Sequence, residues 1–190
     1  MLILASASPR RAQLLTAAGI PFEVCAVPID EQPLAGESPK AYVQRLAEAK
    51  ARAVAAHWPG DPRPVLGADT SVVLGDEILG KPADEADAGR MLARLQGRTH
   101  EVLTGVALLR PGHPPLVAVE RATVTLRVMT SDDIAAYLAT REWHDKAGAY
   151  AIQGTMARHI EAVSGSYTAI VGLPVALVCR WVLGYPESHN

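Results

Sequence analysis

The order of apolar and polar residues predicts strands and helices that alternate along the chain. Residues 2–4 form a short apolar run typical of a buried strand, and apolar side chains recur at helical spacing from Leu14 onwards. Ser8-Pro9 and Ser38-Pro39 each place a helix-capping residue before a proline suited to the first helical turn. We therefore expect helices that begin at these two sites, the second one reaching about residue 57.

The middle of the chain is rich in β-branched residues and predicts the centre of a sheet. Residues 65–74 form a strand that ends at a tight turn, and residues 100–109 and 116–128 pair as an antiparallel hairpin. Further strands are expected over residues 22–27 and 158–163, and further helices over residues 84–97, over residues 130–138 and from residue 174. Because no repeat or linker interrupts this pattern, it predicts a single α/β domain over residues 1–190 with a mixed sheet.

Composition narrows the class of protein. The chain has 190 residues, of which 49% are hydrophobic, and a formal net charge of -2. Proteins that bind nucleic acid usually carry a basic domain or stripe, and a net charge of -2 does not indicate one. Any binding of an anion must therefore depend on a local group of cationic residues. No segment has the length of a membrane span or the pattern of a signal peptide, and Cys25 and Cys179 lack metal-ligand spacing. We expect a cytoplasmic protein with reduced cysteines and neither membrane nor nucleic acid as a partner.

The first candidate site lies between the first strand and the first helix. Ser6, Ser8, Arg10 and Arg11 bring two hydroxyls and two guanidinium groups to the start of that helix, where backbone N–H groups are free. Such a combination binds anions, and phosphate above all. A capped surface helix with two solvated arginines explains the same residues.

The second candidate is Asp69, which interrupts an apolar strand. A carboxylate in such a strand is costly to bury unless it is solvated, paired or bound to a metal. We interpret Asp69 as a general base or metal ligand at the mouth of a cleft, with Gly67 allowing another group to approach closely. An aspartate at the end of a strand is the alternative.

Several other polar residues have an ordinary structural explanation when each is taken alone. Lys81 lies in a turn between Gly80 and Pro82, Lys50 lies late in a helix, and Glu31 lies in an acidic loop. Gln153 follows a glycine-rich segment and carries both donor and acceptor groups that suit the edge of a base. His100 begins a strand and is more often structural than catalytic, since no triad or metal-ligand pattern accompanies it.

Taken together, these segments resemble the Maf family of nucleoside triphosphate pyrophosphatases. The resemblance covers nearly the whole chain, and its ordered set of motifs is far more specific than any one of them. The matching segments are Ser6-Ala7-Ser8-Pro9-Arg10-Arg11, Glu31, Lys50, Gly67-Ala68-Asp69-Thr70, Gly80-Lys81-Pro82, residues 100–106, residues 146–154, Gly165-Ser166-Tyr167 and Val171-Gly172-Leu173-Pro174.

The resemblance implies an elongated α/β fold like that of inosine triphosphatases, with a twisted mixed sheet and a cleft between two lobes. It implies hydrolysis of a nucleoside triphosphate to the monophosphate and pyrophosphate, with Asp69 as proton acceptor. The residues that it implies for substrate binding are Ser8, Arg10, Arg11, Lys50, Thr70, Lys81 and Gln153. A divalent cation, Mg²⁺ or Mn²⁺, is the expected cofactor, with Glu31 and Asp69 as its ligands.

Within the family, the chain is similar to the subgroup that prefers dTTP and UTP. Arg11, Thr70 and Gln153 match that subgroup, and CTP and modified pyrimidine nucleotides are left open as substrates. One alternative is the subgroup acting on 7-methyl-GTP, and another is a nucleotide sensor that regulates cell division with little hydrolysis. Ser164 departs from the family, where an acidic residue is common before Gly165-Ser166. A homodimer is left open.

Overall fold

A mixed sheet of seven strands runs through the protein, which a computed structural model describes over residues 1–184. The strands are β1 (Leu2–Ala5), β2 (Phe22–Val24), β3 (Val65–Leu74), β4 (Glu77–Leu79), β5 (Thr99–Leu109), β6 (Leu116–Leu126) and β7 (Ile160–Ser164). Their order is β2-β1-β3-β5-β6-β7, with β4 paired to the far end of β3. β1 is parallel to β2 and β3, and the other pairs are antiparallel. The predicted α/β fold with a mixed sheet is confirmed.

Helices lie on both faces of this sheet. They are α1 (Pro9–Ala17), α2 (Pro39–His57), α3 (Glu85–Leu95), α4 (Ser131–Ala139), α5 (Tyr167–Val171) and α6 (Val175–Leu183), with 3₁₀ helices at Ala147–Ala149 and Gly154–His159. Among residues 1–184, none of these helices is long and apolar enough to cross a membrane. The single domain predicted over residues 1–190 stays a prediction, and its residues 185–190 lie outside the described part of the chain.

The helix starts follow the predicted capping residues, with one correction. The Ser38 hydroxyl accepts the Ala41 N–H at 3.3 Å, as expected of a cap. Ser8 occupies the N-cap position of α1 as predicted, but its side chain makes no capping hydrogen bond. Instead the Ser8 N–H donates to the Ser6 hydroxyl at 3.2 Å, and Ser8 lines the large cleft described below.

Some predicted boundaries also need correction. β2 ends at Val24 and β6 at Leu126, both earlier than expected. The ladder between β6 and β7 shifts register at Thr125 and Leu126, which ends the regular pairing there. α5 was not predicted, because its five residues are too short to display a helical period.

The apolar core divides into two parts along the sheet. In the first part, α1 and α6 pack on one face of β1 and β3, and α2 packs on the other. The second part joins α3 and α4 to the later strands around Tyr137, Trp143 and Met156. Cys179 lies buried in the first part and Cys25 lies partly exposed beside it, both as free thiols.

A cleft opens where β3 changes its neighbour on one edge. β1 pairs with β3 as far as Ala5 opposite Gly67, and β4 begins only at Leu79 opposite Val72. Between these points, residues 68–71 of β3 have no strand partner on that edge within the described chain. Asp69 and Thr70 therefore lie at the floor of a gap at the carboxyl end of β1, a common place for ligand sites in α/β sheets.

Two glycines let α2 lie directly on the sheet beside this gap. A Cβ on Gly67 would lie 2.2 Å from the Ala47 carbonyl oxygen, and one on Gly105 would lie 2.3 Å from the Val43 carbonyl oxygen. Gly105 is the residue opposite Asp69 in the ladder between β3 and β5. The close approach predicted at Gly67 is thus made by the backbone of α2, and it brings Lys50 of that helix to Asp69.

Candidate active site

A cleft with a volume of about 980 Å³ gathers residues from both parts of the core. Its volume is at the upper end of the ~300–1,000 Å³ range of ligand sites. Five cationic side chains and three carboxylates line it: Arg10, Arg11, Lys50, Lys81, Lys146, Glu31, Asp69 and Asp145. The cleft is therefore locally positive although the whole chain carries a net charge of -2.

Lys50 joins the two carboxylates that the sequence singled out. Its Nζ lies 2.7 Å from Asp69 Oδ1 and 2.7 Å from Glu31 Oε1. Asp69 is buried with 7% of its surface exposed, whereas Glu31 lies on an exposed loop. The ammonium thus compensates the buried charge of Asp69, which would be costly without a partner.

The loop carrying Glu31 is held against α2. The Tyr42 hydroxyl donates to the Glu31 carbonyl oxygen at 2.8 Å. Burial acts to raise the pKa of Glu31, but the hydrogen bond and charge of Lys50 lower it. The charges of Lys81 and Arg11 lower it further, so the net pKa lies below the ordinary glutamate value. Glu31 is therefore ionised at neutral pH.

Arg11 is buried and held by three different partners. Its Nε donates to the Gly172 carbonyl at 2.8 Å, Nη1 to the Ser6 hydroxyl at 2.8 Å, and Nη2 to the Thr70 hydroxyl at 3.2 Å. Gly172 has a φ of 134°, which side-chain-bearing residues rarely adopt, so a glycine there serves to present its carbonyl. These contacts fix the guanidinium plane at the wall of the cleft.

Thr70 lies on the other face of β3 from Asp69, because successive strand residues alternate. Its hydroxyl lies 2.9 Å from the hydroxyl of Thr104, the residue opposite it on β5. Thr104 in turn donates to the Ala169 carbonyl of α5 at 2.8 Å. Thr70 therefore belongs to a chain of hydrogen bonds that runs from Arg11 into the core.

Lys81 and Lys146 form a second group of cations that lines the same cleft. The Gly148 N–H donates to the Gly80 carbonyl at 3.0 Å, which ties the turn of Lys81 to the segment of Lys146. Burial lowers the pKa of Lys146, and the neighbouring charge of Arg10 lowers it further. Burial also lowers the pKa of Arg10, and the charge of Asp145 partly offsets this. Like charges packed this closely are suited to an anionic ligand.

Ser8 and Gln153 line the cleft as the sequence predicted. Gln153 is exposed and precedes the 3₁₀ helix Gly154–His159, so its amide is free to turn toward a ligand. The structure therefore brings every predicted site residue to one cleft, including Lys50, which approaches from α2.

His100 is structural. It is buried with its Nε2 2.7 Å from the Tyr150 hydroxyl, and burial lowers its pKa to about 4. It is therefore neutral at neutral pH and packs within the second part of the core. Among residues 1–184, no three histidine, cysteine, aspartate or glutamate side chains come together as metal ligands.

Two residues of the site were not singled out from the sequence: Thr104, which supports Thr70, and Lys146, which adds a cation to the cleft. Ser6 was placed in the anion site and is the buried partner of Arg11. A hydroxyl within the apolar run of residues 102–106 was the available signal for Thr104. Lys146 begins the matching segment 146–154 but was not named from it, since exposed lysines are common in turns.

Comparison with known proteins places the chain in a family. The Maf family, described as Maf-like protein, matches residues 1–184. Proteins named dTTP/UTP pyrophosphatase are similar along most of their length. The one from Koribacter versatilis is 51% identical, covering 94% of this chain and 91% of the relative. The one from Symbiobacterium thermophilum is 50% identical, covering 97% and 95%.

A solved structure is also similar in part. The crystal structure of a nucleoside-triphosphatase, dITP/XTP pyrophosphatase, from Mycobacterium abscessus has a TM-score of 0.44 and 18% identity, covering 68% of this chain and 76% of that one. The family assignment rests instead on the sequence match over residues 1–184 and on the relatives at about half identity. The chain belongs to the Maf family.

Proposed function

We propose that this protein hydrolyses dTTP and UTP to the monophosphate and pyrophosphate. The observation that carries the proposal is the cleft itself, in which a buried aspartate and five cationic side chains face one volume. The similar proteins from Koribacter versatilis and Symbiobacterium thermophilum, both named dTTP/UTP pyrophosphatase, support this substrate class.

In this proposal Asp69 takes a proton from the water that attacks the α-phosphorus. Its Oδ1 is bound to Lys50, and Oδ2 makes no hydrogen bond to any residue of the described chain. One oxygen is therefore anchored while the other is available to accept a proton. General-base catalysis of this kind typically contributes ~10²–10⁴-fold to a rate.

The cations stabilise the charge that develops on the phosphates. Arg11 is fixed by three hydrogen bonds and so needs no rearrangement during the reaction. Arg10, Lys81 and Lys146 face the same cleft and suit the pyrophosphate leaving group. Positioned charges of this kind supply most of the catalysis in phosphoryl transfer.

The donor set also fits a divalent cation. Glu31 and Asp69 already point at one positive charge, the Lys50 ammonium, 2.7 Å from an oxygen of each. Mg²⁺ is usually held by one or two carboxylates together with substrate phosphates, so two carboxylates suffice. Glu31 and Asp69 would hold the ion, which when bound supplies charge neutralisation and polarises coordinated oxygens. The homodimer that the sequence analysis left open stays a prediction.

The test is a substrate panel with product identification. The full-length protein is incubated with Mg²⁺ or Mn²⁺ and, separately, with dTTP, UTP, CTP and 7-methyl-GTP. We expect pyrophosphate and monophosphate from dTTP and UTP, with activity lost on chelation and restored by Mg²⁺. In ¹⁸O-labelled water, attack at the α-phosphorus places the label in the monophosphate.

Other outcomes would contradict the proposal in distinct ways. Release of inorganic phosphate alone would indicate cleavage at the γ-phosphorus. Preference for 7-methyl-GTP would move the chain to the other subgroup. Binding of dTTP without any pyrophosphate release over hours would favour a nucleotide sensor.

A further inference from the structure

We propose that Tyr42 and Arg45 hold the segment that carries Glu31 against α2, so that its carboxylate stays beside Lys50 and Asp69. Both residues act through Glu31, which makes them positioning residues rather than catalytic ones. The inference rests on the proposed function, in which Glu31 and Asp69 hold a divalent cation.

The segment between β2 and α2 has no regular structure to fix it. Residues 25–38 contain neither helix nor strand, and Glu31 lies near their middle. The Glu31 side chain is 48% exposed where it pairs with Lys50. An exposed ion pair is weak because water screens it, whereas ordering a flexible segment costs conformational entropy at every residue. The contact with Lys50 is therefore not enough to keep Glu31 in the site.

Two side chains of α2 bind the backbone of this segment. Tyr42 and Arg45 are three residues apart, so they are neighbours on one side of the helix. The Tyr42 hydroxyl donates to the Glu31 carbonyl at 2.8 Å, and Arg45 Nη2 donates to the Gln32 carbonyl at 3.1 Å. Because Lys50 belongs to the same helix, α2 holds Glu31 both by its backbone and by its carboxylate.

Arg45 is itself fixed by Glu37, at the far end of the segment. Glu37 accepts from Arg45 Nε at 2.6 Å and from Nη2 at 2.7 Å. The same carboxylate accepts the Leu34 N–H at 3.1 Å, and the Glu37 N–H donates to the Leu34 carbonyl at 3.0 Å. The hydrogen bond from Arg45 lowers the pKa of Glu37, so this carboxylate is ionised at neutral pH. Two charged forks of this kind hold one relative orientation.

Tyr42 is suited to act as a fixed donor. Its ring packs against a small core cluster formed by Val43, Val73 and Leu103. Burial and the charges of Asp69 and Glu31 raise the pKa of Tyr42, so its hydroxyl keeps its proton. A carbonyl oxygen can only accept, so this proton is directed at the backbone of Glu31. The position of Glu31 is thereby tied to the core.

This arrangement prepares the site before a ligand arrives. A carboxylate that is already held beside Asp69 loses little freedom when a cation binds between them. A carboxylate on a loose segment would lose that freedom at each binding event, which weakens the affinity. Release of the backbone anchors should therefore weaken binding of the cation together with its nucleotide.

The first measurement is amide hydrogen exchange of the free full-length protein, without metal or nucleotide. Tyr42→Phe and Arg45→Gln should each speed exchange in residues 30–37 by about fivefold, as expected for one lost hydrogen bond. Arg52→Gln is the matched control, because Arg52 on the same helix pairs only with Glu48, at 3.3 Å. Exchange in β3 and β5 should be unchanged in all three variants, which shows that they are folded.

The second measurement tests whether the effect passes through Glu31. The probe is α,β-methylene-dTTP with Mn²⁺, whose bridging carbon prevents cleavage, and calorimetry gives its Kd. Tyr42→Phe should raise this Kd about fivefold, and Arg52→Gln should not change it. In a Glu31→Ala background, Tyr42→Phe should cause no further loss, because the group that it holds is gone. With EDTA in place of Mn²⁺, Tyr42→Phe should bind the probe as the unaltered protein does.

The failures of the two proposals differ. Unchanged exchange in residues 30–37 of both variants would overturn the positioning role, and so would an equal loss of affinity from Tyr42→Phe with and without Glu31. Absence of any binding of the probe to the unaltered protein would instead overturn the proposed function. Hydrogen exchange would still decide whether Tyr42 and Arg45 hold the segment.

Discussion

The two faces of β3 place two different kinds of polar site at neighbouring residues. Asp69 points toward α2 and forms a charged group with Lys50 and the exposed Glu31. Thr70 points the other way, into hydrogen bonds with Arg11 and the fully buried Thr104. One residue of chain separates them, because side chains alternate across a strand.

The two faces differ in how strongly their interactions depend on the orientation of the groups. Attraction between charges depends on distance more than on angle, so the pairing of Lys50 with two carboxylates requires no single orientation of its ammonium. A hydroxyl chain has a donor and an acceptor at each step, and reversing one member disrupts the next. The Asp69 face therefore concentrates charge, whereas the Thr70 face fixes the orientation of the Arg11 guanidinium.

The strongest test removes the charge of Asp69. In Asp69→Asn the proposed proton acceptor is lost while the Thr70 face is untouched. We expect kcat for dTTP to fall by ~10²–10⁴-fold with nucleotide binding largely retained. Steady-state pyrophosphate release and equilibrium binding of dTTP measure the two parts, and undiminished turnover would refute the role of Asp69.

The next test disturbs the packing of α2 on β3, which brings Lys50 to Asp69. Gly67→Ala would place a methyl group 2.2 Å from the Ala47 carbonyl, which forces α2 and its Lys50 away from β3. We expect the free energy of unfolding to fall by about 3 kcal/mol, the upper range for overpacking. Urea unfolding measures this change.

Gly89→Ala in α3 is the matched control for that variant. Its added methyl group would meet only Leu138 Cδ1 at 3.4 Å, an ordinary contact. Replacing a glycine within a helix should raise the free energy of unfolding by about 0.5–1 kcal/mol. Equal effects of the two alanines would mean that α2 does not depend on Gly67.

A smaller change in the free energy of unfolding is expected from His100, which is buried without an ionic partner. Burial lowers the pKa of His100 to about 4, so the unfolded chain takes up this proton at higher pH than the folded one does. Its contribution to stability is present at neutral pH and is lost as pH falls. Between pH 7 and pH 5 the free energy of unfolding should drop by about 2 kcal/mol from this group.

Urea unfolding at pH 7 and pH 5 measures this drop in the free energy of unfolding. The unaltered protein should show it, and His100→Gln should lack the part that His100 contributes. His113→Gln, in an exposed turn, is the control and should keep it. A pH dependence unchanged by His100→Gln would show that the buried imidazole does not titrate as its surroundings require.

Much of the fold followed from local pattern. β3 has the predicted bounds, and α2 begins after its predicted cap at Ser38. Asp69 was conspicuous by itself, because a carboxylate within an apolar strand is expensive to bury. Lys50, Lys81 and Gln153 were assigned only through the family resemblance. Ser8 occupies the N-cap position as predicted, but its side chain makes no capping hydrogen bond.

The contacts among those residues could not be predicted in the same way. The residues near Lys50 in the sequence do not predict its contact with Asp69, because that contact depends on α2 packing against two distant glycines. Nor does spacing tell that Arg11 is held by Gly172, a residue far along the chain. Such pairings are decided by packing over long separations.

By itself the sequence determined the kinds of groups that the cleft holds, since propensity, capping and apolar period are properties of neighbouring residues. The tertiary structure alone decided which oxygen meets which cation and which partners the buried hydroxyls contact. The physical reason is that a hydrogen bond or ion pair depends on atoms brought to within about 3 Å, and only the packed sheet and helices bring them there.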